Sequence, residues 1–416
     1  MRHPSWSVLL LHLSLIAMSA ASAQAPQAPQ ARLLEALQQN RFPLTMIDGR
    51  PAGPGWDWLV GEAKNARFTL IGEEHGVAET AQLAAALFTA LRASGYSRFA
   101  IELSPPIAQD IEAAARRNGV QGIEDFLKTP NLFTFYNLHE EARLLADVVQ
   151  SSPKNERVLW GFDREIFNDR YLISKLEPKV PPGARAAFAR VKEASTNAWA
   201  QNARTGNPDD MFILAADSGL VSALRAAWPK PDAESDAVLH SLEASLAVET
   251  QERTGGAWPY MERRARLGRD NFAALVRRDS SKILMKFGYN HMIRGLNYFN
   301  GFDIGSMADE VAALTGDRAF HILVLPGPGS RQAVLGGAGF GSVSSDSVDE
   351  LRAGDQRLMR VLSNANATGH EVIDLRPLRR LAMRGLESWN ADVVRTIHGY
   401  DAVVIWKGAR ASTGLK

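Results

Sequence analysis

The chain has 416 residues, 45% of them hydrophobic and 22% charged, so it carries ample material for a sizeable core and is not a disordered chain. Its 47 basic and 46 acidic residues leave a net charge of +1, which excludes a global attraction to nucleic acid or an anionic membrane. Cysteine is absent, which excludes disulfides, a cysteine nucleophile, thiolate metal ligands and a lipidated cysteine.

In chain order, residues 1–23 have the form of a signal peptide: Arg2 in a short polar start, an apolar run, then Ala21-Ser22-Ala23. The run is about 13 residues where a spanning helix needs about 20, so cleavage is expected, with a periplasmic location and no stable membrane anchor. Residues 24–40, opening on a Gln/Ala/Pro stretch, read as a linker.

Short apolar runs then alternate with helical patterns. The runs are Phe68 to Ile71, Phe99 to Ile101, Val158 to Trp160, Ile283 to Phe287, Ile322 to Leu325, Val372 to Ile373 and Ala402 to Trp406. Alternation of this kind predicts an α/β fold, a mainly parallel sheet with helices on both faces. Residues 41–166 form its first part and residues 281–416 its second. Between them, residues 167–280 show helical periodicity without a convincing strand, and read as a helical insertion forming a cap. The Gly/Ser-rich segment after Leu325 lacks a phosphate-loop pattern and reads as a mobile loop.

In an open parallel sheet, ligands bind beyond the carboxyl ends of the strands. Four strands deliver acids or histidines there: Glu73, Glu74 and His75 after the first, Glu102 after the second, Asp163 with Arg164 after the third, and Asn290 with His291 after the fourth. Two imidazoles with several carboxylates suit activation of water, by a general base or through a divalent metal. His75 and His291 share the spacing G-x-x-H, as "GEEH" and "GYNH", in which glycine lets the backbone approach closely. Tyr136 and Glu140 lie at the start of an amphipathic helix and are placed at the pocket, whereas Glu141 is given a structural role. No H-E-x-x-H helix and no G-x-S-x-G elbow occurs. His240, His321, His370 and His398 stand singly and are read as structural.

These motifs, with "GRDNFAALVRRDSSKILMKFGYNHM", resemble the erythromycin esterase, ChaN, Tiki and TraB superfamily over most of residues 60–410. The resemblance implies that Gly72, Glu73 and His75 form the first motif, Glu102 the second-strand acid, and Gly288, Asn290 and His291 the second histidine motif. Its esterase members imply a histidine that activates water with neighbouring carboxylates. Its Tiki-like members imply a metal-dependent protease with His75, Glu102 and His291 on Zn, Mn, Co or Fe, and its ChaN-like members a haem or iron binder with Tyr289 or Tyr136 as axial ligand. Arg269 matches the family's Arg-Asp pair and is placed beside the site. The shortened Glu73-Glu74-His75 spacing is closer to the ChaN-like and Tiki-like members. The expectation is an exported hydrolase of an ester or amide bond, taking a small-molecule or peptide substrate in its cleft and no nucleic acid, with haem or metal binding as alternatives.

Overall fold

The computed structural model describes residues 29–255, 257–334, 340–345, 369–384 and 391–415; the signal peptide expected over residues 1–23 lies outside them. A nine-stranded sheet runs in the order β2-β1-β10-β11-β7-β3-β6-β4-β5. Its strands are β1 (Arg41–Ile47), β2 (Arg50–Ala52), β3 (Phe68–Glu73), β4 (Tyr96–Ile101), β5 (Leu159–Gly161), β6 (Lys282–Gly288), β7 (Ala319–Pro326), β10 (His370–Asp374) and β11 (Ala402–Trp406). From β11 to β5 every neighbouring pair is parallel, while β10, β1 and β2 continue the sheet antiparallel.

All seven apolar runs are strands of this sheet. Their side chains part to opposite faces with a period of two, as covered parallel strands require. Ile322 and Val324 of β7 join one hydrophobic cluster, whereas Leu323 and Leu325 join a second. Phe68 and Leu70 of β3 face a third cluster with Phe272 and Ile304, and Ile71 turns back to the first. The sheet is therefore largely apolar on both sides, with Lys286 of β6 and His321 of β7 among its buried polar exceptions.

Helices cover both faces. Before the insertion lie α1 (Pro29–Gln39), α2 (Pro54–Lys64), α3 (Ala78–Leu91), α4 (Pro105–Leu127) and α5 (His139–Gln150). Between β5 and β6 come α6 (Asp169–Leu176), α7 (Arg185–Thr205), α8 (Phe212–Ala215), α9 (Gly219–Ala227), α10 (Ala233–Gly255) and α11 (Ala257–Val276). After β6 follow the single turn α12 (Tyr289–Met292) and α13 (Ile304–Leu314).

Two local expectations are corrected. Residues 29–39, placed in the linker, form α1, whose Leu37 is buried in the cluster beside β10 and β11. The glycine-rich segment, expected as a loop, contains a two-stranded ribbon of β8 (Gly329–Val334) and β9 (Phe340–Ser345).

Candidate active site

The parallel strands β3, β6, β4 and β5 are consecutive in the sheet, so their carboxyl ends lie together along one edge of it. Register brings Glu73 opposite Gly288 and Ile101 opposite Lys286. His75 lies two residues beyond β3, Glu102 directly after β4, and Asp163 two residues beyond β5.

His75 is the centre of this arrangement. Its Nδ1 is 2.9 Å from Glu73 Oε1, its Nε2 is 3.3 Å from Glu102 Oε2, and its ring stacks on Phe135 at 5.0 Å and 10°. The His75 side chain is 28% exposed, against 1% for Glu73 and 5% for Glu102, so it is the member of this trio that solvent reaches. Burial disfavours its charged form. Hydrogen bonds and attraction from Glu102 and Glu73 outweigh that and push its pKa up to about 10, so the resting group is imidazolium at neutral pH.

The second histidine is fixed differently. His291 Nδ1 is 2.8 Å from Asp303 Oδ2, and its Nε2 is 3.5 Å from Glu102 Oε1. Burial works against its charge, and Asp303 and Glu102 nonetheless raise its pKa. Asp303 also caps α13, accepting the Ile304 N–H on its other oxygen at 2.7 Å. That cap ties the imidazole to the start of a helix.

Glu102 is the hub between the histidines. Its Oε1 accepts from Arg264 Nη2 at 2.7 Å, and its Oε2 accepts the Gly288 N–H at 2.6 Å. Burial would favour the neutral acid, but His291, His75 and Arg264 hold the carboxyl well below its usual range. A side chain at position 288 would crowd this contact, since its Cβ would lie 3.3 Å from Glu102 Oε2 and 3.5 Å from His75 Nε2. Gly76 is required for a second reason: its φ is +88°, and a Cβ there would meet the Gln332 carbonyl at 2.1 Å.

Beneath Glu73 lies a buried lysine. Lys286 Nζ donates to Glu73 Oε1 and, at 2.8 Å, to Glu141 Oε1. Burial opposes the ammonium charge, and Glu141 and Glu73 together raise its pKa. Glu73 is lowered despite its burial, chiefly by Lys286 and His75, while burial and repulsion from Glu73 raise Glu141 against the pull of Lys286.

The structure brings together Glu73, His75, Glu102, Asp163 and His291. Asp163 binds Arg264, which holds its carboxyl down against burial. Tyr136 is buried, with its hydroxyl donating to the Lys286 carbonyl at 3.4 Å and its ring 5.3 Å from Lys286 Nζ. Asn290 sits between Gly288 and His291 with a buried Oδ1 that has no hydrogen-bond partner. Arg164 instead reaches the cap, donating to Glu249 Oε1 and to the Tyr260 hydroxyl, each at 2.5 Å.

Three expected positions are corrected. Glu74 turns away from His75 and pairs with Arg331 of β8 at 2.6 Å, because successive residues of an extended segment point to opposite sides. Glu140 accepts from Thr413 N at 2.7 Å and anchors the C-terminal tail, whereas its neighbour Glu141 reaches Lys286; on a helix, adjacent residues face about 100° apart. Arg269 lines a separate groove with Glu262, Asp270, Phe302 and Met307, and Arg264, more than a turn earlier on α11, holds Glu102 and Asp163.

Lys286, Arg264 and Asp303 were not singled out from the sequence, and Glu141 was given only a structural role. Lys286 had a legible signal, as a cation inside the otherwise apolar "ILMKF" of a strand covered on both faces. Asp303 also had one, as a cap residue before an apolar helical pattern. Arg264 did not, being one of several arginines in "MERRARLGR".

The donor set does not fit a divalent metal on His75, Glu102 and His291. Both Glu102 oxygens already accept hydrogen bonds, and one of those donors, the Arg264 guanidinium, is itself a cation where a metal would need an open ligand. Among the described residues, no group of three or more His, Asp or Glu is placed to hold a metal ion. A haem iron fits no better. The Tyr136 hydroxyl is committed to the Lys286 carbonyl, and the Tyr289 ring packs on Tyr298 at 5.4 Å beside the cluster of β7, β10 and β11.

No protein-family model matches the chain, and no curated protein matches it. Solved structures do. A succinoglycan biosynthesis protein superposes with a TM-score of 0.66 at 13% identity, covering 94% of this chain and 100% of that one. A Bacillus cereus protein gives 0.61 at 15% identity, covering 92% and 99%. The erythromycin esterase EreC, as a histidine-to-asparagine mutant in its open conformation, gives 0.56 at 13% identity, covering 87% and 95%. At the level of fold, this chain is similar to the erythromycin esterase EreC.

Proposed function

We propose that the chain is a hydrolase that cleaves an ester or amide bond with a water activated at His75. The observation that carries this reading is the placement of the half-open imidazole between two buried carboxylates, with Glu73 on Nδ1 and Glu102 beside Nε2. Glu73 fixes the tautomer, so that after deprotonation the lone pair lies on Nε2, the nitrogen beside Glu102. Arg264 and His291 place positive charge at Glu102 Oε1, which keeps that carboxylate ionised beside Nε2. The esterase fold of EreC supports the reaction class at fold level only.

The resting imidazolium must release its Nε2 proton before it can accept one from water. Hydrolysis through His75 therefore carries a distinctive alkaline pH dependence. Metal-dependent proteolysis and haem binding are not favoured, because the donors that each needs are committed elsewhere. The same proposal puts the protein in the periplasm on the form of residues 1–23, with a small molecule or peptide as substrate.

The test is hydrolysis of a panel of alkyl and aryl esters and amides by wild type and His75→Ala. Turnover lost in a variant with an unchanged circular dichroism spectrum supports the reading; equal turnover by both overturns it.

A further inference from the structure

The group that sets His75 is itself held from below. Glu73 Oε1 accepts from two donors at once, His75 Nδ1 and Lys286 Nζ, while Glu73 Oε2 is buried and accepts from none. A carboxylate bound through one oxygen alone is free to pivot unless that oxygen is gripped from a second direction. Lys286 supplies that grip from β6, the strand paired with β3 in register. Its own position is set by Glu141 Oε1 at 2.8 Å from α5, and the Tyr136 ring lies alongside its ammonium group. Lys286 is 1% exposed, so it touches no substrate. Burying an ammonium and two carboxylates is costly in free energy, and an apolar side chain would fill position 286 of this strand with less penalty. The expense has an evident product, a Glu73 oxygen fixed on one nitrogen of the half-open histidine.

We propose that Lys286, anchored by Glu141, is a positioning residue that locks Glu73 Oε1 onto His75 Nδ1 and thereby decides which ring nitrogen keeps the proton when the imidazole is neutral. The kinetic part of this inference rests on the hydrolase reading; the part concerning the imidazole does not.

The experiment uses the full chain labelled with 15N-histidine, as wild type, Lys286→Met and the double variant Lys286→Met/Glu141→Gln. The double variant removes the cation together with one carboxylate, so folding does not depend on two unbalanced buried acids. In wild type the His75 Nδ1 proton is expected as a downfield signal slowed in exchange by its bond to Glu73. In whichever variant folds, that signal is expected to vanish or to move upfield, and the ring to populate both tautomers above its titration midpoint. With p-nitrophenyl butyrate as the probe, kcat is expected to fall on the order of 10²-fold, less than the about 10⁴-fold that follows loss of the acid that itself orients a catalytic histidine, with KM changed less than about twofold. An unmoved Nδ1 proton and an unchanged kcat in a folded variant would overturn the proposal. A moved proton in a protein that hydrolyses no ester or amide would uphold the positioning role and remove the hydrolase reading instead.

Discussion

Arg264 grips Asp163 with two parallel hydrogen bonds, Nε to Oδ1 at 3.1 Å and Nη2 to Oδ2 at 2.7 Å. The pair joins α11, the last helix between β5 and β6, to the loop that follows β5. Because Nη2 also reaches Glu102, the same guanidinium ties that helix to the acid at the end of β4. The planar fork of arginine meets two carboxylates in a way that the single ammonium of lysine cannot.

Arg264→Met should therefore cost both stability and activity. Removing one partner of a buried pair leaves its carboxylates uncompensated, a loss of about 3–5 kcal/mol. Asp163 keeps Arg164 at 3.7 Å, which puts the expected loss at the lower end, about 3 kcal/mol. Urea denaturation of wild type and variant measures it. Arg264→Lys should recover less than half of the difference, and a lysine variant as stable as wild type would show that the fork has no special role.

The charge on His75 links the site to stability. Its folded pKa of about 10 lies above its unfolded value of roughly 6.5, so the folded state binds the proton more tightly. The resulting stabilisation is fully present below about pH 6.5 and is lost as pH rises through 10. Wild type should lose stability relative to His75→Ala between pH 7 and pH 10. Parallel stability curves for the two proteins over that range would contradict the charged assignment.

Much of this architecture was legible because apolar runs in covered parallel strands carry no competing signal. Phe68 to Ile71 and Ala402 to Trp406 are buried throughout, so sequence and structure agree on them. The hairpin of β1 and β2 was overlooked although Asp48 and Gly49 both adopt positive φ, the conformation that an Asp-Gly hairpin turn requires. At the site, strand ends located Glu73, Glu102, Asp163 and His291 without resolving where each side chain turns. The exchange of Glu140 for Glu141, and of Arg269 for Arg264, is decided by helix rotation against a cleft whose walls come from distant segments. The apolar run around Lys286 marks it as buried, but its partners Glu73 and Glu141 lie far from it in sequence, so what it holds is decided by the fold.

Within the cap, Asp169 is fully buried and accepts from Ser195 Oγ at 2.5 Å and Trp199 Nε1 at 2.9 Å. Burial dominates these hydrogen bonds and raises its pKa to about 6. For a carboxyl with a raised folded pKa, the protonated form favours folding. Its stabilisation is present below an unfolded pKa of about 3.9 and is lost as pH climbs through 6. Asp169→Asn keeps an acceptor for Trp199 and a donor for Ser195 and should remove this dependence, making the variant at least as stable as wild type at pH 8. Thermal melts at pH 4.5 and pH 8 measure the difference, and a wild type that gains on the variant as pH rises would reverse the sign.

Gly288→Ala tests the crowding around Glu102 and His75 without replacing a charged group. The backbone at Gly288 has φ −52°, which alanine adopts without strain, so global stability should change by less than about 1 kcal/mol. The added methyl would lie 3.3 Å from Glu102 Oε2 and must displace that carboxylate by a few tenths of an ångström, or push the Gly288 N–H off it. Either displacement alters the Nε2 side of His75, where water is to be activated. An ester turned over by wild type should show kcat reduced on the order of tenfold with little change in melting temperature, because small misplacements of reacting groups cost rate far more than stability. Wild-type kcat with a displaced Glu102 in a crystal structure of the variant would show that Glu102 takes no part in holding the imidazole for reaction.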